Sequence, residues 1–233
     1  MTLVRRRADW LLLLIAASCA ALAYVFGQVG SGVLEGEMAG VDRAIRQFVM
    51  AHRSPAALAF FNAVTLLGSK HVLVVGAMVA GWFVSGRSKV FVALLALCAI
   101  VSSEFVDFLK LEFRVVRPLG GMISRESSSF PSGHVSGTAA LATMLSYAAV
   151  RRRFAAVLVI AVSALTTVFM AMSRVYLDVH WTSDVLGGAL VGLILGLAFS
   201  AVYEWLDRRR MTVSAVAHPP SDQSRTSPES TRQ

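Results

Sequence analysis

Charge is scarce in this sequence. Only 15% of its 233 residues are Asp, Glu, Lys or Arg, against 56% apolar ones, and the mean hydropathy is +0.65. A water-soluble domain carries about a quarter charged residues, so an ordinary soluble fold is excluded and membrane spans are expected. Cysteine is nearly absent. Cys19 and Cys98 both lie inside apolar runs, which excludes a disulfide framework and a thiolate metal site and leaves packed or lipid-facing thiols. Acidic residues are scarce beside basic ones, 14 against 22, for a net charge of +8 and a pI near 10.3. That balance suits nucleic acid in a soluble protein, but no basic stripe interleaved with aromatics is present, so nucleic acid is excluded as a partner. The arginines instead form short clusters between apolar runs, which makes anionic lipid head groups their counterpart. No internal repeat breaks the chain into units.

A span needs about 20 mostly apolar residues. The first is expected from Trp10 to about Phe26, and a second ends near Val84 after starting between Leu58 and Val72. Gly68-Ser69-Lys70-His71 interrupts the second, so that Leu58–Leu67 has an alternative reading as an interfacial helix. A third runs from Val90 to about Leu111, a fourth from His134 to Val150, a fifth from Phe154 to about Met172, and a sixth from Asp184 to about Leu206. Between the first two, Val41–Val49 reads as a short amphipathic helix lying along the membrane surface. Gly188, Gly192 and Gly196 form a small-xxx-small ladder expected to pack closely against another helix.

Basic clusters favour the cytoplasmic side of spans. Arg5–Arg7, Arg87 with Lys89, Arg151–Arg153 and Arg208–Arg210 hold eleven of the 22 lysines and arginines. With six spans all four fall on one side, placing both termini in the cytoplasm of a multi-pass inner or plasma membrane protein. An alternative reading of the N-terminus is a cleavable signal peptide ending at Ala21-Leu22-Ala23. Residues 1–210 are thus one membrane domain. Beyond Met211 the composition turns to Ser, Thr, Pro and charge, and residues 211–233 are expected to be a disordered cytoplasmic tail.

Three polar clusters then fall on the outer side, where they are functional candidates because polar groups near a bilayer are costly. The first is Lys110 with Arg117-Pro118. The second is Phe130-Pro131-Ser132-Gly133-His134, at the start of the fourth span. The third is Ser173-Arg174, His180 and Asp184. A transferring phosphoryl group is stabilised by fixed cations and N–H donors, which Lys110, Arg117 and Arg174 and the start of the fourth span supply. Pro131 pre-sets a helix start, Ser132 offers a hydroxyl, and Gly133 allows close backbone approach. His180 and Asp184, at i and i+4, place a carboxylate against one imidazole nitrogen and leave the other as a nucleophile. His134 then serves as general acid and later as base. Taken singly, each cluster has a plainer reading as an interfacial histidine, a turn or a snorkelling arginine. Their joint occurrence, in order and on one face, argues against those.

Lys110-x6-Arg117-Pro118, Pro131-Ser132-Gly133-His134 and Ser173-Arg174-x5-His180-x3-Asp184 together resemble the three-part signature of the type 2 phosphatidic acid phosphatase superfamily, without a departure at any position. The resemblance covers about residues 10–206. It implies an all-α, six-span bundle and a metal-independent lipid phosphatase with no cofactor. It further implies His180 as nucleophile, His134 as general acid, Asp184 orienting His180, and Lys110, Arg117, Ser132, Gly133 and Arg174 binding phosphate. The substrates implied are membrane lipid phosphates: phosphatidate, phosphatidylglycerol phosphate, isoprenyl diphosphates or lipid A phosphates.

Rival functions are a lipid phosphotransferase with an alcohol acceptor, a vanadate haloperoxidase, which the spans oppose, and an anion channel, which has no use for a second histidine. Among secondary residues, Asp107 is expected to pair with Lys110. Lys70 and His71 are read as an exposed span end with a pocket role as the alternative, and Arg125 and Glu126 as a solvated loop. Asp178 lacks the helical spacing to orient His180. The particular lipid and the oligomeric state are not legible.

Overall fold

The structure is a computed structural model that describes residues 2–118 and 128–217, with side chains from Trp10 to Arg210 apart from Lys70. Its described residues form eight helices: α1 (Thr2–Leu34), α2 (Ala39–Ala51), α3 (Pro55–Leu67), α4 (Lys70–Val84), α5 (Lys89–Phe113), α6 (Gly133–Arg152), α7 (Ala156–Tyr176) and α8 (Thr182–Ala217). The protein is all-α, as expected.

Local chemistry sets the ends. Ser54 Oγ accepts a hydrogen bond from the Ala57 amide at 3.2 Å with Pro55 in the first turn of α3, and Ser88 Oγ accepts from Phe91 at 3.3 Å at the start of α5. Four helices are long and apolar enough to cross a membrane: Trp10–Leu34, Lys89–Phe113, Ala156–Tyr176 and Thr182–Arg210. The interrupted second span is a bent pair, α3 and α4 meeting at 63° across Gly68-Ser69. The sixth candidate, α6, has 20 residues, about 30 Å at 1.5 Å per residue. Its composition is less apolar because it faces protein rather than lipid. Val135, Ser136, Thr138, Ala140, Met144 and Ala149 on it are all buried.

The glycine ladder explains how α6 is enclosed. A Cβ at Gly188 would lie 2.5 Å from the Ser132 carbonyl oxygen, one at Gly192 would strike the Ser136 carbonyl, and one at Gly196 would lie 2.6 Å from that of Ala140. The two helices therefore touch backbone to backbone along three turns of small residues. On the far side of α6, Phe91, Leu95 and Cys98 of α5 pack with Leu141, Met144 and Tyr203 in the main apolar core.

The basic clusters gather at one end of the bundle. Arg151 Nε and Arg208 Nε each lie 2.8 Å from a Glu204 carboxylate oxygen, Arg151 also pairs with Asp207 at 2.5 Å, and a Cβ on Gly86 would meet the Arg152 guanidinium. The ends of α5 and α7 and the starts of α6 and α8 lie at the opposite end. Phe26 of α1 stacks there on Phe130 at 5.7 Å, so α1 runs from the basic end to the other. Helix α8 continues to Ala217, past the Met211 boundary drawn from composition. Residues 218–233 of the expected tail lie outside the described residues.

Candidate active site

Three connections converge at the end away from the basic clusters: the stretch after α5, the start of α6, and the turn between α7 and α8. Burial is unusually deep for polar residues. Ser129, Ser132 and Asp184 have no exposed surface, Arg174 is 2% exposed and His180 is 4% exposed. Buried charges persist only when hydrogen-bonded or paired.

His180 Nδ1 lies 3.2 Å from Asp184 Oδ2, the i,i+4 pair expected from the sequence. The same carboxylate accepts from the Trp181 amide at 2.8 Å and from Ser129 Oγ at 3.2 Å. On the other edge of the ring, an N–H of Arg117 points at His180 Nε2 across 3.3 Å. A guanidinium has no acceptor, so this contact fixes Nε2 as unprotonated and puts the ring proton on Nδ1, facing Asp184. Burial above all, then the charges of Arg174, Arg117 and Lys110, hold this imidazole well below the ordinary imidazole range. The site thus keeps a neutral imidazole with an aimed lone pair among fixed cations.

Arg117 is itself held, donating to the Val179 carbonyl at 2.7 Å and the Ser128 carbonyl at 3.2 Å. Arg174 donates to Thr65 Oγ1 of α3 at 2.7 Å. Lys110 Nζ sits 3.3 Å from Asp107, as expected, but Asp107 is 65% exposed and such a pair contributes little. That ammonium lies 3.9 Å from where a Cβ on Gly133 would be, so absence of a side chain there leaves it facing the first turn of α6.

Helix α6 begins at Gly133, two residues after Pro131, with Ser132 as its N-cap residue. The Ser132 amide donates to the Asp184 carbonyl at 2.9 Å, joining the second and third clusters directly. Its hydroxyl makes no cap bond and is buried without a hydrogen-bond partner among the described residues. His134 follows on the first turn and lines a cavity of about 240 Å³ with Lys110 and Gly133. That cavity mixes these groups with Leu73, Val106 and Leu141, a lining suited to an amphiphile. A larger apolar groove of about 420 Å³ between α2, α7 and α8 holds none of the candidate residues.

All eight residues singled out from the sequence therefore belong to one connected neighbourhood. His71 is exposed and does not line the 240 Å³ cavity; Arg125 and Glu126 lie outside the described residues. Sequence reasoning missed Ser129, the Trp181 amide and Thr65, each of which holds a site residue. It also missed Asp42 and Arg46 of α2, which bind the α7–α8 turn at Ser183 and Asp178. Their one signal was helical spacing, i and i+4 on an amphipathic segment. Among the described residues no three His, Cys, Asp or Glu side chains converge as metal ligands would.

A tethered neutral imidazole under three cations, at the end of a membrane-spanning bundle, is the equipment of an integral membrane enzyme of phosphoryl transfer. Comparison with known proteins makes this particular. The family model of the PAP2 superfamily matches residues 46–208, and the chain belongs to that family. Phosphatidylglycerophosphatase B of Bacillus subtilis (strain 168) is 30% identical over 175 residues, spanning 72% of this chain and 86% of that one. The crystal structure of a transmembrane PAP2-type phosphatidylglycerolphosphate phosphatase from Bacillus subtilis superposes with a TM-score of 0.75 at 25% identity, covering 82% of this chain and 98% of the other. That of Aquifex aeolicus LpxE gives 0.51 at 25% identity, covering 67% and 92%. The chain is a multi-pass membrane phosphatase of the PAP2 lipid phosphatase family, a phosphoric monoester hydrolase.

Proposed function

We propose that the protein hydrolyses a lipid phosphomonoester or diphosphate, of the phosphatidylglycerol phosphate, phosphatidate or undecaprenyl diphosphate class, at the outer face of the membrane and without a metal ion. The observation that carries this reading is the His180 ring, with its proton directed at Asp184 and its Nε2 beside Arg117. In the first step Nε2 attacks phosphorus and a phosphorus–nitrogen bond forms as the bond to the lipid oxygen breaks. His134 gives its proton to that departing oxygen. In the second step His134 accepts a proton from water, whose oxygen attacks phosphorus. The phosphorus–nitrogen bond breaks, releasing inorganic phosphate and restoring His180.

Lys110, Arg117 and Arg174 neutralise the equatorial oxygens through both steps, and the Ser132 hydroxyl and α6 amides from Gly133 onward donate to them. The buried, unused Ser132 hydroxyl supports that role. The lipid class rests on the cavity, whose lining joins His134 and Lys110 to apolar side chains, and on the phosphatidylglycerophosphatase relatives.

The test is phosphate release by detergent-solubilised protein from phosphatidylglycerol phosphate, phosphatidate, undecaprenyl diphosphate and a lipid A phosphate, with no alcohol acceptor and with EDTA present. Turnover of at least one is expected. His180→Ala should lower it on the order of 10⁴-fold or more and His134→Ala about 10²–10⁴-fold. Brief reaction with radiolabelled substrate should leave acid-labile, alkali-stable label on the protein, absent from His180→Ala. Collapse with EDTA and recovery with a divalent ion would refute the metal-free mechanism, and dependence on an added alcohol would favour phosphotransfer.

A further inference from the structure

The five-residue turn that carries the nucleophile is gripped at both ends by a helix from elsewhere in the chain. Asp178, the second residue of this turn, has a left-handed φ of 58°, a conformation that Asp tolerates better than most side chains. Ser183 stands just beyond it, in the first turn of α8, where backbone amides have no helical partner. Helix α2 reaches both. Arg46 binds Asp178 with a fork, Nε to Oδ1 at 2.7 Å and a terminal nitrogen to Oδ2 at 2.8 Å. Asp42, one helical turn earlier, accepts from the Ser183 amide at 2.9 Å and from its hydroxyl at 2.6 Å. Both carboxylates are buried, with Asp178 at 3% and Asp42 at 7% exposure. Just past α2, Arg53 donates twice to the Tyr176 carbonyl, at 3.1 and 2.5 Å, steadying the last turn of α7.

The charges of α2 divide: Arg43 is exposed, as on an ordinary surface-lying helix, whereas the other two are directed at the turn. On α2 the residues left exposed include Val41 at 53% and Phe48 at 65%, while Asp42 and Arg46 turn inward. Neither of those charges touches the candidate phosphate site. Each instead fixes one flank of a turn whose fourth residue, His180, must present Nε2 within reach of phosphorus. Misplacement of a reacting atom by about 1 Å is enough to cost about 10²-fold in rate.

We propose that Asp42 and Arg46 are positioning residues: through Ser183 and Asp178 they hold the His180 turn so that its nucleophilic nitrogen points into the phosphate site. This rests on the phosphatase reading above. It assigns to the amphipathic helix a part in the chemistry, acting at a distance from the substrate.

The experiment is a double-mutant cycle on kcat and KM with the most active lipid of the panel, normalised to folded protein by size-exclusion fluorescence. Arg46→Ala removes the fork, and Asp178→Gly removes the carboxylate while keeping the left-handed backbone unstrained. Each should lower kcat about 10- to 100-fold with KM within about threefold, and the double variant should be no worse than either single one. Arg46→Lys, which keeps charge but loses the fork, should recover part of kcat. Asp42→Asn and Ser183→Ala should form a second such pair, while Gln47→Ala on the exposed side of α2 stays at wild-type rate. Unchanged kcat in the folded single variants, or losses that simply multiply, would overturn the proposal. A purely structural role would lower the yield of folded protein and leave kcat per folded molecule intact. A wild-type protein that releases no phosphate from any lipid overturns the phosphatase reading itself, and this one with it.

Discussion

In the proposed mechanism His180 attacks phosphorus, which requires an unprotonated Nε2, and two features of its surroundings favour that state. Asp184 accepts a hydrogen bond from the protonated Nδ1, and burial with the charges of Arg174, Arg117 and Lys110 keeps a second proton off. Asp184→Asn preserves shape yet presents an amide to Nδ1, reversing the tautomer. We expect kcat to fall on the order of 10³–10⁴-fold, the scale of loss when a catalytic imidazole is held the wrong way round, with KM little changed. Stopped-assay kinetics on the purified variant check this. The pH dependence follows with its sign. An ordinary imidazole is charged and non-nucleophilic below its normal titration range; His180 is lowered, so the acid limb of kcat/KM should lie below that range. Arg174→Gln removes the leading cationic cause, so His180 gains protons more readily and the acid limb should move to higher pH. Loss of a charge-assisted contact to phosphate should also raise KM about tenfold or more. A pH–rate profile of both proteins reads the two effects separately, and an acid limb unmoved in the variant would mean another group sets it.

Between helices, the α6–α8 seam is where small residues decide function. A Cβ at Gly188 meets the Ser132 carbonyl at 2.5 Å, and Ser132 is bonded through its amide to Asp184. Gly188→Ala should therefore wedge the second signature cluster away from the third. We expect about 1–3 kcal/mol of destabilisation, read as a lower Tm in detergent, and at least about 100-fold loss of kcat. Gly76, where an added Cβ meets nothing within 4 Å, is the contrasting site; Gly76→Ala should keep activity and Tm. The same seam marks what was legible in the sequence. The ladder at 188, 192 and 196 and the i,i+4 pair of His180 and Asp184 are periodic, so spacing alone exposes them. Each of the six spans read from hydropathy falls on a helix, although α1 and α8 run well past the expected ends to Leu34 and Ala217, and the interruption expected at Gly68-Ser69-Lys70-His71 is the 63° bend between α3 and α4. Ser129 and Thr65 carried no signal, and the i,i+4 spacing of Asp42 and Arg46 did not reveal what they bind, for a common reason. The partner of each lies far off in sequence, 141 positions for Asp42 with Ser183 and 109 for Thr65 with Arg174. Only the assembled bundle brings them together.

For the molecule as a whole, the distribution of charge bears on which side of the bilayer each end of the bundle faces. The clusters at Arg87 with Lys89, Arg151–Arg153 and Arg208–Arg210 lie at one end, and Lys110, Arg117, Arg174 and His180 at the other. Basic clusters next to spans are retained on the cytoplasmic side, whereas Arg117, Arg174 and Lys110 are partly or fully buried around a polar site and do not compete as topogenic charges in the same manner. The active-site end should then face outward. Single cysteines in a chain lacking Cys19 and Cys98 report this directly. A cysteine replacing Gln47, exposed on α2, whose Arg46 binds the His180 turn, should react with a membrane-impermeant maleimide in intact spheroplasts. One replacing Lys89, exposed at the start of α5, should react only after permeabilisation. Reversed labelling would put the site in the cytoplasm. The outer-face reading would then fail, while the chemistry proposed at His180 would stand.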